Sequence, residues 1–199
     1  MIDRLREIIN TEAIAIQNIP IDLNIIDAIQ LIVEQCNRKG GKLVCSGMGK
    51  AGQIALNMST TFSSTGTPSV YLHPSEAQHG DLGILQENDL LLLISNSGKT
   101  REIEELICLT KNLDPSIKII GITRNADSPL ATLADITLLT GETVEVCPLG
   151  MAPTTSTTVM TVIGDLLVCG VMESIGFTKA EYAKRHHGGY LGVKSKENI

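Results

Sequence analysis

Residues 90–100 read Leu90-Leu91-Leu92-Leu93-Ile94-Ser95-Asn96-Ser97-Gly98-Lys99-Thr100. Five consecutive apolar residues with no polar alternation predict a strand covered on both faces, which is the habit of a parallel sheet inside an α/β domain. The stretch from Ser95 to Thr100 is hydroxyl-rich and carries a glycine, and the charged, periodic stretch from Arg101 reads as a helix of about 101–112. A strand, a tight polar loop and a helix N-terminus in succession make one βα unit.

The same grammar repeats outward in both directions. Short apolar runs at Leu43–Cys45, Ser69–Leu72, Ile117–Ile122 and Ile136–Leu139 read as further strands. Helices are expected at about 51–64, 128–133, from Thr155 to Ile175 and at 178–185, before a Gly-rich tail. Upstream, helical spacing over 2–18 and 22–39 predicts a pair of helices. Pro20 separates them, Asp22 can cap the second, and Gly40-Gly41 ends it. There is no repeat, low-complexity tract or linker. The expectation is one domain over 1–199: a doubly wound five-stranded parallel sheet flanked by helices, with an N-terminal helical pair.

Bulk properties exclude several classes of function. The 199 residues carry a formal net charge of −6, which disfavours a nucleic-acid footprint. No apolar run approaches the roughly 20 residues of a membrane span, and no secretory signal opens the chain. The five cysteines form no CxxC pair; three lie in apolar stretches and read as buried thiols, which points to a reducing, cytoplasmic setting. With no Trp and 3% aromatic residues there is no stacking platform for bases.

In such sheets ligands sit beyond the carboxyl ends of the strands, so the loops there carry the functional reading. After the first strand come Gly47, Gly49 and Gly52 at GxGxxG spacing, with Lys50 among them. The second strand ends in Tyr71-Leu72-His73-Pro74 with no acid at its tip, against a dinucleotide site. A cation at a helix start opposes the dipole, so Lys50 reads as facing a ligand rather than as a surface lysine. Ser95, Ser97 and Thr100 exceed what a helix cap needs and read as a phosphate cradle; the spacing is not that of a Walker loop. His73, Glu76, His79 and Asp81 fall close together, for acid/base work, for sugar hydroxyls or as a plain polar loop. His73 and His79 are candidate metal ligands without a complete set. Glu145 lies among Val144, Val146 and Cys147, where desolvation is expected to raise its pKa towards that of a useful base. His186-His187-Gly188-Gly189 is either a helix ending or a histidine returned to the site.

Together the stretches SGMGKAG, STGTPSVYLHPSEAQHGDLG, ISNSGKTREI, VEVCPLGMAPTTSTT and HHGGYLG resemble the SIS (sugar isomerase) domain, and most closely the arabinose-5-phosphate isomerases. The resemblance implies interconversion of D-ribulose 5-phosphate and D-arabinose 5-phosphate through a cis-enediol, feeding synthesis of the eight-carbon acid sugar Kdo and of lipopolysaccharide. It implies Lys50, Glu102, Glu145 and His186 as catalytic residues and Gly47, Gly66, Thr67, His79, Ser95, Ser97 and Thr100 as substrate-binding residues. The tail reads His186-His187 where the family reads HPGG, and His186 is taken as the equivalent. It also implies a homotetramer whose active sites neighbouring subunits complete, and no required cofactor; an inhibitory metal ion at His73 is the metal candidate. Many members continue into a pair of CBS modules, whereas this chain stops at Ile199. Control is therefore expected on the isomerase domain itself, by a downstream nucleotide sugar such as CMP-Kdo. The competing readings are a non-catalytic sugar-phosphate sensor, for which no helix-turn-helix is visible, and an isomerase of another sugar phosphate.

Overall fold

The computed structural model describes residues 1–194. Five strands form one parallel sheet: β1 Leu43–Gly47, β2 Ser69–Tyr71, β3 Leu90–Ile94, β4 Lys118–Thr123 and β5 Ile136–Leu139, in the order β2-β1-β3-β4-β5. The order reverses between β1 and β3, and β3 is fully buried along its length, as its unbroken apolar run predicts. Alternate residues of each strand feed two cores. Leu43, Cys45, Leu90, Leu92, Ile120 and Ile122 meet α1 Ile2–Gln17, α2 Leu23–Ile32, α3 Gly49–Ser64 and α7 Thr155–Ser174. Val44, Leu91, Leu93 and Ile119 meet α4 Pro74–Ala77, α5 Arg101–Leu113 and α6 Pro129–Leu133. Helices on both faces of a parallel sheet make the doubly wound architecture.

The boundaries follow local chemistry. Asp22 caps α2 by accepting the Asn24 N–H at 3.0 Å. The helix expected over 22–39 is α only to Ile32 and continues as a π-helical segment over Val33–Arg38. It stops where Gly40 adopts φ +78° and Gly41 passes so close to Asn88 that a Cβ would lie 2.1 Å from its carbonyl oxygen. The stretch from His73 to Gly83, for which a plain polar loop is one of the readings, carries α4 and most of a 3₁₀ turn at Asp81–Ile84, both too short to leave a periodic pattern. The chain continues through α8 Lys179–Arg185 into α9 Gly189–Lys194, where only a tail was expected. Residues 195–199 of the expected domain lie outside the described residues.

Two expectations are corrected. By length and composition α7 is apolar enough to cross a membrane; it is half buried and packs on α1, α2 and α3, so its apolar surface serves the core. Its Thr, Gly and Ser residues had masked that run. Of the cysteines, Cys36 and Cys45 are buried, Cys147 is intermediate, and Cys108 and Cys169 are exposed, because these last two fall on outward faces of α5 and α7.

Candidate active site

The carboxyl ends of β1, β3 and β4 open into a cleft of about 580 Å³. It lies at the β1/β3 switch point, where doubly wound folds bind ligands, and its size is that of a small-molecule site.

The β3 loop forms one wall. Ser95 is 2% exposed, and its Oγ lies 2.7 Å from Thr100 Oγ1. The Gly98 N–H donates to Ser95 Oγ at 3.1 Å and the Lys99 N–H to Ser97 Oγ at 3.2 Å. Gly98 has φ +65°, and a Cβ there would lie 2.0 Å from Ser128 Oγ, so only glycine lets the loop seat against the start of α6. Thr100 is the N-cap of the 13-residue α5 and makes no side-chain cap bond. Exposed Ser97, Thr100 and the α5 N-terminus thus converge where an anion would be favoured.

Lys50, in the first turn of α3, is exposed into the same cleft and makes no ion pair among the described residues. Opposite stands Glu145. Its Oε2 accepts hydrogen bonds from the Thr154 N–H at 2.7 Å, Thr154 Oγ1 at 2.8 Å and the Ser156 N–H at 3.4 Å, while Oε1 accepts from Ser156 Oγ. The expected rise in its pKa does not occur. Burial does push the carboxyl up, but the hydrogen bonds from Ser156 and Thr154 outweigh burial and hold it below its usual range. The segment after β5 folds back so that Glu145 satisfies the first amides of α7, and partial burial of the carboxyl does not offset those bonds. With Ser156 Oγ as its donor, Oε1 keeps acceptor capacity towards the cleft.

The structure thus brings together Lys50, Ser95, Ser97, Thr100 and Glu145. The other nominated residues do not line this cleft. Gly47 ends β1 beside it, its carbonyl accepting from the Tyr71 hydroxyl at 3.1 Å. Glu102 is half-buried on the first turn of α5. Gly66 and Thr67 precede β2, at the opposite end of the sheet. There the Gly66 carbonyl and the Thr67 hydroxyl both bond Asn37, and Gly66 packs on the Phe177 ring. His73 caps α4, its Nδ1 accepting the Ser75 N–H at 3.3 Å, and His79 is exposed beyond α4. Among the described residues no group of three or more His, Cys, Asp or Glu side chains is placed to hold a metal. His186 is the C-cap of α8, stacked on Tyr182 with ring centroids 3.6 Å apart and with Nδ1 bonded to the Tyr182 carbonyl at 3.0 Å.

Sequence reasoning missed other cleft residues: Met48, Asn96, Arg124, Thr143, Thr157 and Met160. Arg124 was findable, since it stands directly after β4, where the strand-end rule applies.

This arrangement defines an α/β domain with an anion-accepting cleft at its strand ends. The SIS domain family model matches residues 37–169, and the chain belongs to that family. Among curated relatives it is similar to arabinose 5-phosphate isomerase KdsD of Pseudomonas aeruginosa, 46% identical over 152 residues, which are 76% of this chain and 46% of that protein. It is 44% identical over 174 residues to KdsD of Francisella tularensis, covering 87% of this chain and 52% of the relative. The chain therefore spans about half the length of these relatives. Among solved structures, the Escherichia coli CFT073 protein c3406 in complex with arabinose 5-phosphate has a TM-score of 0.85 at 35% identity, over 93% of this chain and 96% of the other.

Proposed function

We propose that the chain is an aldose-ketose isomerase interconverting D-ribulose 5-phosphate and D-arabinose 5-phosphate, in the supply of Kdo for lipopolysaccharide. Its KdsD relatives carry that activity in their name, and c3406, a structural neighbour over nearly its whole length, holds arabinose 5-phosphate. The observation that carries the reading is the single cleft in which a hydroxyl loop at a helix N-terminus faces Lys50 and Glu145.

The chemistry moves one proton between C2 and C1. Ser95, Ser97, Thr100 and the α5 amides hold the phosphate and fix the sugar. Glu145 takes the C2 proton of the aldose, electrons move into a cis-enediolate, and Glu145 delivers a proton to C1, exchanging with solvent while the enediolate lasts, as O2 and O1 exchange theirs. Lys50 places positive charge by the developing oxyanion. Glu102 acts as a second acid/base or holds Lys50. His186 opens the sugar ring or shuttles the oxygen proton.

His186 and His79 stand outside the cleft of their own chain, and Leu5, Ile9 and Leu23 expose apolar surface on the N-terminal pair. These features support a homotetramer in which neighbouring subunits complete each site, and Gly66, Thr67 and His79 then contribute from such an interface. The enzyme works in the cytoplasm and needs no cofactor; a divalent ion at His73 inhibits it. CMP-Kdo competes with substrate in the same cleft, which calorimetry detects as binding abolished by saturating arabinose 5-phosphate. A coupled assay of the purified chain with ribulose 5-phosphate tests the activity. Formation of arabinose 5-phosphate supports it, and conversion of only another sugar phosphate, or of none, refutes it.

A further inference from the structure

The cleft holds one charged side chain that the reaction above does not use. Of the described residues lining it, the cations are Lys50 and Arg124, and the only carboxylate is Glu145, whose charge already accepts the Thr154 and Ser156 donors. In the sheet β1 and β4 lie on either side of β3. Lys50 and Arg124 therefore enter from the two strand ends that bracket the Ser95–Thr100 loop.

Arg124 is fixed to that loop through its backbone. Its N–H donates to the Asn96 carbonyl at 3.1 Å, and Thr123 Oγ1 donates to the same carbonyl at 3.2 Å. The loop itself is pinned by Gly98 against Ser128. The distance between the Arg124 backbone and the hydroxyls of Ser97 and Thr100 is thus set by the sheet. The guanidinium is not occupied elsewhere: its one ion pair among the described residues is to Glu142 at 3.9 Å, and the Glu142 side chain is 92% exposed. A pair that long in solvent holds an arginine only weakly.

We propose that Arg124 is a phosphate-binding residue, its guanidinium closing over the dianion that Ser95, Ser97 and Thr100 seat. The proposal rests on the sugar-phosphate reading of the cleft. Hydroxyls and helix amides supply donors but no full charge, and Lys50 serves the reacting end of the sugar. A guanidinium supplies two parallel N–H donors in the geometry of a phosphate edge, together with permanent charge. Because phosphate is bound equally before and during the proton transfer, the contact acts on KM and leaves kcat.

The test compares the wild-type chain with Arg124→Met, Arg124→Lys and Glu142→Gln. Arg124→Met is expected to raise KM for ribulose 5-phosphate about 10- to 100-fold, the weight of a charge-assisted pair, with kcat within about threefold. The inhibition constant of inorganic phosphate rises in parallel, and Arg124→Lys recovers part of both. Glu142→Gln leaves KM unchanged or lowers it. An unchanged KM in Arg124→Met overturns the proposal, as does a fall in kcat without a rise in KM. Calorimetry with arabinose 5-phosphate separates this from the isomerase reading. If the wild type binds it without turnover, the isomerase reading fails, and binding lost in Arg124→Met still supports the arginine's role. Equal binding by both, or by neither, overturns it.

Discussion

At Glu145 one carboxylate both caps α7 and faces the cleft. Because Ser156 and Thr154 hold its folded pKa below the usual value, its ionised form persists to lower pH than that of a free glutamate. The sign follows: its contribution to stability is present above the unfolded value of about 4.5 and is lost only as pH falls through the lower folded value. If it is the base, the acid limb of kcat/KM lies below pH 4.5, and a limb near 6 would mean that another group is titrating. Glu145→Gln is expected to lower kcat about 10²- to 10⁴-fold. Should Glu145→Gln still exchange the substrate C2 proton with deuterated water at the normal rate while Glu102→Gln does not, the base is Glu102. Ser97→Ala removes a hydroxyl that faces the cleft and should raise KM more than it lowers kcat; an unchanged KM would take Ser97 out of the phosphate site. Nearby, the Ala152 and Met151 N–H groups donate to Cys147 Sγ at 3.1 and 3.2 Å and lower its pKa, whereas burial pushes Cys36 and Cys45 up to about 12. Iodoacetamide at mildly alkaline pH should therefore label Cys147 ahead of exposed Cys108 and Cys169, and leave Cys36 and Cys45 untouched; mass spectrometry reads the order. The place of Glu145 was legible in its sequence context, but the direction of its pKa was not. The donors that decide it lie 9 and 11 residues further on and reach it only through the fold of the loop.

Among the elements, those with two-sided apolar runs were readable to within a residue or two, because burial on both faces leaves no polar interruption; β3 matches its expected bounds at both ends. α2 was read too long because its apolar spacing runs on through Val33 and Cys36, which stay buried along the π-helical turn. The amino ends of the strands carry their own fastening. Asp89, its side chain 2% exposed, accepts hydrogen bonds from the Lys42 N–H at 2.8 Å, Lys42 Nζ at 2.6 Å and the Gln86 N–H at 2.8 Å, tying β1 to β3 at the end away from the cleft. Asp89→Ala leaves a half-sequestered ammonium and two amides without their acceptor. It should cost about 3–5 kcal/mol in urea unfolding while KM stays as in the wild type. A loss below about 1 kcal/mol would mean that water replaces the carboxylate freely.

For the whole molecule, the alternation of strands and helices foretold a parallel sheet with helices on both faces, but not the order of the strands. That order depends on which edge each crossover reaches, and it is what sets Lys50 and Arg124 on either side of the β3 loop. Five nominated residues meet in one cleft because they follow β1, β3 and β5 or open the next helix, whereas Gly66, Thr67 and His186 lie outside that cleft in their own chain. The exposed Leu5 and Ile9 of α1 should lie in a subunit contact. Light scattering is expected to give four times the chain mass, and Leu5→Glu with Ile9→Glu to lower both that mass and the activity; a monomeric, fully active wild type would place the whole site within one chain. The central claim is that this cleft moves a proton between C1 and C2 of a five-carbon sugar phosphate. Proton NMR of ribulose 5-phosphate incubated with the purified protein in deuterated water tests it most directly. Arabinose 5-phosphate signals are expected to appear and deuterium to enter at the exchanging carbon, both lost in Glu145→Gln. A spectrum unchanged after prolonged incubation with folded wild-type protein would contradict the claim.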